Sequence, residues 1–225
     1  MRLSGHATLA CFWAIIAMRA VDQQFHSMRL PLERLRQLGY QRPGLAVRAR
    51  LDQAAHNHWA AGMLVEQQTR PRASRVPLFV VPDEQWNQAT FVKWFVSYRP
   101  DVVLGLDESI LTWLGAAGFR VPEGVGFVHL DCPNGEWFSG IRRNGSAVGT
   151  AAIDLLVDMI HRNERGVPTL PRWILVESNW QDGTTLRTPS HIGYRIPIQG
   201  VLPYSPRREG FSEAPCDTRI QSHVP

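Results

Sequence analysis

Two short runs constrain this chain more than anything else in it. DVVLGLD at 101–107 and VGFVHLD at 125–131 are nearly continuous apolar stretches of strand length, each ending in an aspartate. Runs of this kind suit strands buried on both faces of a sheet, and such strands need helices above and below them. The stretch between them supplies one: 109–117 is a short helix that Gly118 is placed to close. The same beat continues in both directions. Met28, Leu32, Leu35 and Leu38 fall at helical spacing within 25–38, and Gly39 stops them. A β-like segment follows at 43–49, then a helix over 51–68, a strand at 76–81 and a helix over 84–98 that Pro100 ends. The clearest helix is 146–161, with Val148, Ala152, Leu155, Leu156, Met159 and Ile160 on one face, and RWILVES at 172–178 is the last strand. Strands alternating with helices in this way predict an α/β fold, a parallel sheet flanked by helices with right-handed crossovers.

Composition sets bounds. The 225 residues, 44% of them hydrophobic, suffice for one large domain or two small ones. The net charge is +4, and all but one of the 24 basic side chains are Arg, scattered along the chain with Lys93 the one lysine. That scatter is not a nucleic-acid footprint. No run reaches 18 uninterrupted apolar residues, so no membrane partner is expected. Cys11, Cys132 and Cys216 are odd in number and far apart, which argues against a disulfide framework or a metal site and for a reducing compartment. Three parts follow. Residues 1–20 hold a twelve-residue apolar stretch that is either a buried strand or a secretory signal, with Met18 and Arg19 poor neighbours for a cleavage site. Residues 21–187 carry the α/β pattern, and 188–225, with six prolines, read as an irregular or disordered tail.

In open parallel sheets, ligands bind beyond the carboxyl ends of the strands. Asp83, Asp107 and Asp131 each follow a predicted strand there. Asp83 and Asp107 also precede helices, so capping explains them equally well. Asp131 precedes a loop and has less local reason to be acidic. Trp86 and Trp137 lie near strand ends, where an indole stacks on a sugar ring or simply joins the core. Other chemistry finds no residue set. His56-Asn57-His58 lacks a metal-binding frame, and no phosphate-binding glycine loop, Gly-x-Ser-x-Gly elbow or Cys/His pair at catalytic spacing is present. No enzyme activity, cofactor or metal is expected.

The stretch DVVLGLDESILTWLGAAGFRVPEGVGFVHLD resembles the lactose-repressor family of transcription regulators, with Gly118, Arg120, Val121, Pro122, Glu123 and Asp131 in register. LERLRQLGYQRPGLAV (32–47) and the region 140–187 are similar to further parts of that family, so the resemblance covers about 21–187. It implies a periplasmic-binding-protein type I fold, here with one lobe complete and the other partial. It also implies a cytoplasmic, dimerising regulator that senses a small molecule, typically a sugar or nucleoside. Position by position, Asp131 matches the family's ligand-contacting aspartate. Asp107 matches the Asp of an Asn-Asp pair, whose Asn is replaced by Leu106. Trp59 stands where the family has the Arg of Arg-x-x-Gly, with Gly62 kept and His58 adjacent. Gln23 stands at a usual Asp, just after Asp22, and Arg143 at a ligand-facing Gln. Trp86 falls in a loop that often supplies an aromatic. These departures mean that the family's usual ligand cannot be carried over.

No helix-turn-helix precedes Gly5. The resemblance therefore implies that operator DNA is contacted only through a head this sequence does not contain. The apolar face of helix 146–161 needs another partner, whether the 11–16 strand, the tail or a second chain, and a poorly stable or dimeric product is expected. An exported sugar-binding protein of the same fold, with 1–20 as its signal, and a gene remnant without a ligand remain as alternatives.

Overall fold

The computed structural model describes residues 19–133, 135, 137–164 and 172–187. The expectations for most of 1–20 and for 188–225 lie outside the described residues. Among the described residues are eight strands and six α-helices: β1 Arg19–Asp22, α1 Gln24–Gln37, β2 Pro43–Arg48, α2 Ala49–Ala54, α3 His58–Thr69, β3 Phe79–Val81, α4 Gln88–Tyr98, β4 Val102–Gly105, α5 Ser109–Ala116, β5 Gly126–His129, β6 Gly140–Arg142, α6 Gly145–His161, β7 Trp173–Val176 and β8 Asn179–Gln181. Strands β2, β3, β4, β5 and β7 fall on predicted ones, whereas β1, β6 and β8 are additions that the pattern does not predict.

Six strands form one sheet in the order β3-β2-β4-β5-β6-β8. At its centre β4 lies parallel to both neighbours, with Leu45 opposite Leu104 and Leu104 opposite Val128. Because side chains alternate across a strand, these runs feed two cores. Val102, Leu104 and Val128 pack with Met28, Leu32, Leu35, Tyr40 and Met63 from the α1/α3 side. Val103 and Phe127 pack with Phe91, Trp94, Phe95, Ile110 and Leu114 from the α4/α5 side. The pattern predicts a parallel sheet, and the structure corrects this at one edge: β8 runs antiparallel to β6, with Ile141 opposite Trp180. A second sheet of two parallel strands, β1 and β7, stands apart in pairing, and α6 covers it through Leu155 and Met159 against Ile174.

Local chemistry sets the helix limits. Gln23 caps α1 by accepting the amide of His26, and Gly39, at φ +83°, turns the chain out of it. The single helix predicted over 51–68 is two, because His56 and Asn57 adopt positive φ between them. The helix predicted over 84–98 starts late. Asp83–Gln85 make a 3-10 turn, and it is Asn87, not Asp83, that caps α4 by accepting the amide of Thr90. The strand predicted over 76–81 shrinks to Phe79–Val81.

Candidate functional site

The carboxyl ends of β1, β2, β4, β5 and β6 bring charged side chains together in two knots. In the first, Asp131, two residues beyond β5, meets Arg143, which follows β6. The guanidinium forks onto the carboxylate, with Nε 2.7 Å from Oδ1 and Nη2 2.5 Å from Oδ2. The third arm of the fork, Nη1, lies 3.8 Å from Asp22 at the end of β1. One arginine therefore links the small sheet to the large one. Its hydrogen bond to Asp131 leads the interactions that hold the Arg143 guanidinium above its ordinary value.

Asp22 is the strained partner. Its side chain is 12% exposed, and Oδ1 is buried without a hydrogen-bond partner. Burial pushes its carboxyl up against the pull of Arg143, and Asp131 adds to the push. Beneath this pair His129 is buried, and its Nδ1 accepts the Asp131 amide at 3.1 Å. Burial holds the imidazole below its ordinary value, so it stays neutral with its proton on Nε2.

The second knot surrounds Asp107 after β4. Its Oδ2 accepts from Arg48 at 2.6 Å and from the Trp86 indole at 3.0 Å, while Oδ1 accepts the Ser109 amide at the start of α5. Burial pushes Asp107 up, but the hydrogen bonds from Ser109 and Arg48 together outweigh it and hold the carboxyl below its usual range. Asp107 thus sits at the strand end and its carboxylate takes the first amide of α5, one residue before the helix's own cap position at Glu108. Asp83 lies at the margin of this knot, 3.9 Å from Arg48, and pairs with Arg50 at 2.7 Å.

Asp107 and Asp131 stand at strand ends as the pattern predicts, Arg143, named from the resemblance alone, follows the unpredicted β6, and the fold joins Asp131 to Arg143. Gln23 does not join them. Its side-chain oxygen is taken by the His26 amide, and its neighbour Asp22 faces Arg143 instead. Trp86 is buried among Phe79 and Trp113 with Arg48 over its ring, which leaves no open indole face for stacking. Trp137 is 56% exposed and edge-on to Phe138.

Trp59 and His58 open α3. The Trp59 indole nitrogen and His58 Nδ1 are both buried without a hydrogen-bond partner among the described residues. Beside them the buried Asp52 carboxylate accepts the Ala60 amide and so caps α3. The sequence reading missed Asp52, and no local pattern marks it, because its role arises only where the chain breaks between α2 and α3. Among the described residues no group of three or more His, Cys, Asp or Glu side chains is placed to hold a metal ion. Nor is any described helix long and apolar enough to cross a membrane.

No family model matches the chain, and no curated protein does. Solved structures do. A LacI family transcriptional regulator from Arthrobacter sp. FB24, in complex with lactose, superposes with a TM-score of 0.56 at 15% identity, over 74% of this chain and 65% of that one. A LacI family transcriptional regulator from Enterococcus faecium with bound ribose gives 0.52 at 16% identity, over 76% and 65%. A transcription regulator like protein from Staphylococcus haemolyticus gives 0.56 at 13%, over 76% and 61%. This chain therefore spans less than two thirds of their length. The likeness is one of fold: the chain is an α/β protein, a mixed sheet flanked by helices, built like these regulators.

Proposed function

We propose that this chain is the ligand-sensing part of a LacI-type transcription regulator, binding a small polar molecule, sugar- or nucleoside-like, at the carboxyl edge of its sheets. The observation that carries the reading is the convergence of Asp22 and Asp131 on Arg143, which joins two sheets at the edge where open α/β folds bind ligands. Carboxylate oxygens accept hydrogen bonds from ligand hydroxyls, and charge-assisted bonds of this kind exceed neutral ones in strength. Asp22 Oδ1 is buried without a hydrogen-bond partner, which leaves it capacity to accept from a ligand hydroxyl. A ligand that engages Asp22 and Asp131 together favours one arrangement of the small sheet against the large one. That differential contact is what coupling to a distant DNA site requires. The reading gives the chain a cytoplasmic place, dimerisation and no catalytic step, with no operator contact assigned to the described elements. In it the large sheet is a whole lobe, and β1, β7 and α6 are part of a second.

Titration calorimetry against a panel of monosaccharides, disaccharides and nucleosides tests it. At least one compound should bind saturably, and Asp131→Ala or Asp22→Asn should weaken it tenfold or more. Asp83→Ala, whose carboxylate pairs with Arg50 away from the first knot, should not change it. Binding that ignores both aspartates, or no binding across the panel, sinks the proposal.

A further inference from the structure

The helix α6 is apolar on two adjoining faces. One side sets Leu155 and Met159 against Ile174 of β7. On the other, Ile153, Leu156, Val157 and Ile160 repeat at helical spacing and stand 42–66% exposed. A helix patterned in this way is made to lie between two layers, yet the described residues supply only one.

The path of the chain shows what lies next to this stripe. Arg143, just before α6, touches Asp22 at the carboxyl end of β1, and β7, just after α6, runs parallel to β1. The helix therefore returns antiparallel to both strands, and its His161 end comes back beside the amino end of β1, where Arg19 pairs with Trp173. Residue 18 continues from that point. The run 7–18, ATLACFWAIIAM, holds no charged side chain. Extended it reaches ~40 Å, and as a helix ~18 Å, whereas the stripe from Ile153 to Ile160 covers only ~10 Å of helix.

We infer that residues 7–18 pack along the Ile153–Ile160 stripe of α6 within the same chain, supplying the missing layer. A second copy fits the stripe less well. Four side chains on one helix face fall far short of the roughly 20–30 residues a side that a stable interface uses. The run, by contrast, is tethered at the end of the stripe, at an effective concentration on the order of millimolar. On this inference the amino-terminal run is a working part of the fold, and its removal as a leader would uncover α6.

Cross-linking of the full chain tests the contact. In a background with Cys132→Ser and Cys216→Ser, native Cys11 remains, and Val157→Cys or Ile160→Cys places a second thiol on the stripe. A short bismaleimide should join the two thiols within one chain, at a yield independent of protein concentration. Val65→Cys on α3 is exposed to the same degree as Val157 or more, and it should give no such link. Dimers whose yield climbs with concentration would assign the stripe to a second copy. A link to Val65→Cys as strong as to Val157→Cys would mean indiscriminate collapse, and no intrachain link at either stripe position would place the run elsewhere. Each of these three results overturns the inference.

Discussion

The two sheets obey the same α/β logic with unequal means. In the large sheet, β2, β4 and β5 are covered on both faces, and Leu45, Leu104, Phe127 and Val128 are fully buried. In the small sheet, β7 alternates between Ile174, turned to α6, and Leu175, which is exposed, and among the described residues the cluster beneath holds only Leu155 and Met159. A two-stranded sheet is marginal alone. What differs is the number of covered faces, and this assigns the global stability of the chain to the large sheet and local opening to the small one.

The sharpest test of that contrast pairs two core truncations. Phe127→Ala empties a site ringed by His129 and Phe138 and should cost about 3–5 kcal/mol in urea unfolding. Met159→Ala removes comparable bulk from the small cluster, yet it should cost about 1 kcal/mol or less globally. Its effect should appear as faster amide exchange confined to α6 and β7. Equal losses in the two variants would show that the sheets unfold as one unit.

Next in size is Tyr40→Phe. The Tyr40 ring is fully buried on the α1/α3 side, and its hydroxyl accepts the Arg187 amide at 3.0 Å. Removing that oxygen leaves a partly buried amide unpaired and should cost about 1–2 kcal/mol. The loss should register in the midpoint of global unfolding, with exchange in α6 unchanged. Faster exchange in α6 alone would show that this contact supports the small sheet instead.

How much of this was legible in the sequence follows the same divide. The strands β2, β4 and β5 announce themselves because burial on both faces demands an unbroken apolar run, and α1, α5 and α6 because one buried face imposes helical spacing. The strands β6 and β8, three residues each, carry no such signature. They exist through pairing, β6 meeting β5 at the single register His129–Gly140, and long-range pairing is not written in local pattern. The break at His56 and Asn57 was hidden for a related reason, since neither glycine nor proline marks it. At the site, Asp131 is legible as a strand-end residue, whereas Arg143 is named only by the resemblance, because β6 before it has no signature. The resemblance puts Gln23 at the family's usual Asp position, and no apolar run marks β1, so nothing in the sequence singles out Asp22 as the carboxylate that faces Arg143.

The smallest expected effect separates the two sheets by the sign of their pH dependence. Asp107, in the large sheet, is held below the usual carboxylate range by Ser109 and Arg48 despite burial, whereas burial and Asp131 raise Asp22 on the small one. A carboxyl lowered by folding contributes stability above its unfolded value, near pH 4, and loses it as pH falls through the lower folded value. A carboxyl raised by folding does the reverse, subtracting stability as pH rises from that unfolded value through the folded one. Asp107→Asn should therefore destabilise the chain at neutral pH and converge on the parent in acid. Asp22→Asn should match the parent in acid and gain on it as pH rises. Urea midpoints for the Asp107 pair, and amide protection factors in β1 and β7 for the Asp22 pair, measured from pH 3 to 7, would give two difference curves of opposite slope. Parallel curves would show that Asp22 is as well served in its place as Asp107, and that the carboxylate between the sheets is not held in reserve for a ligand.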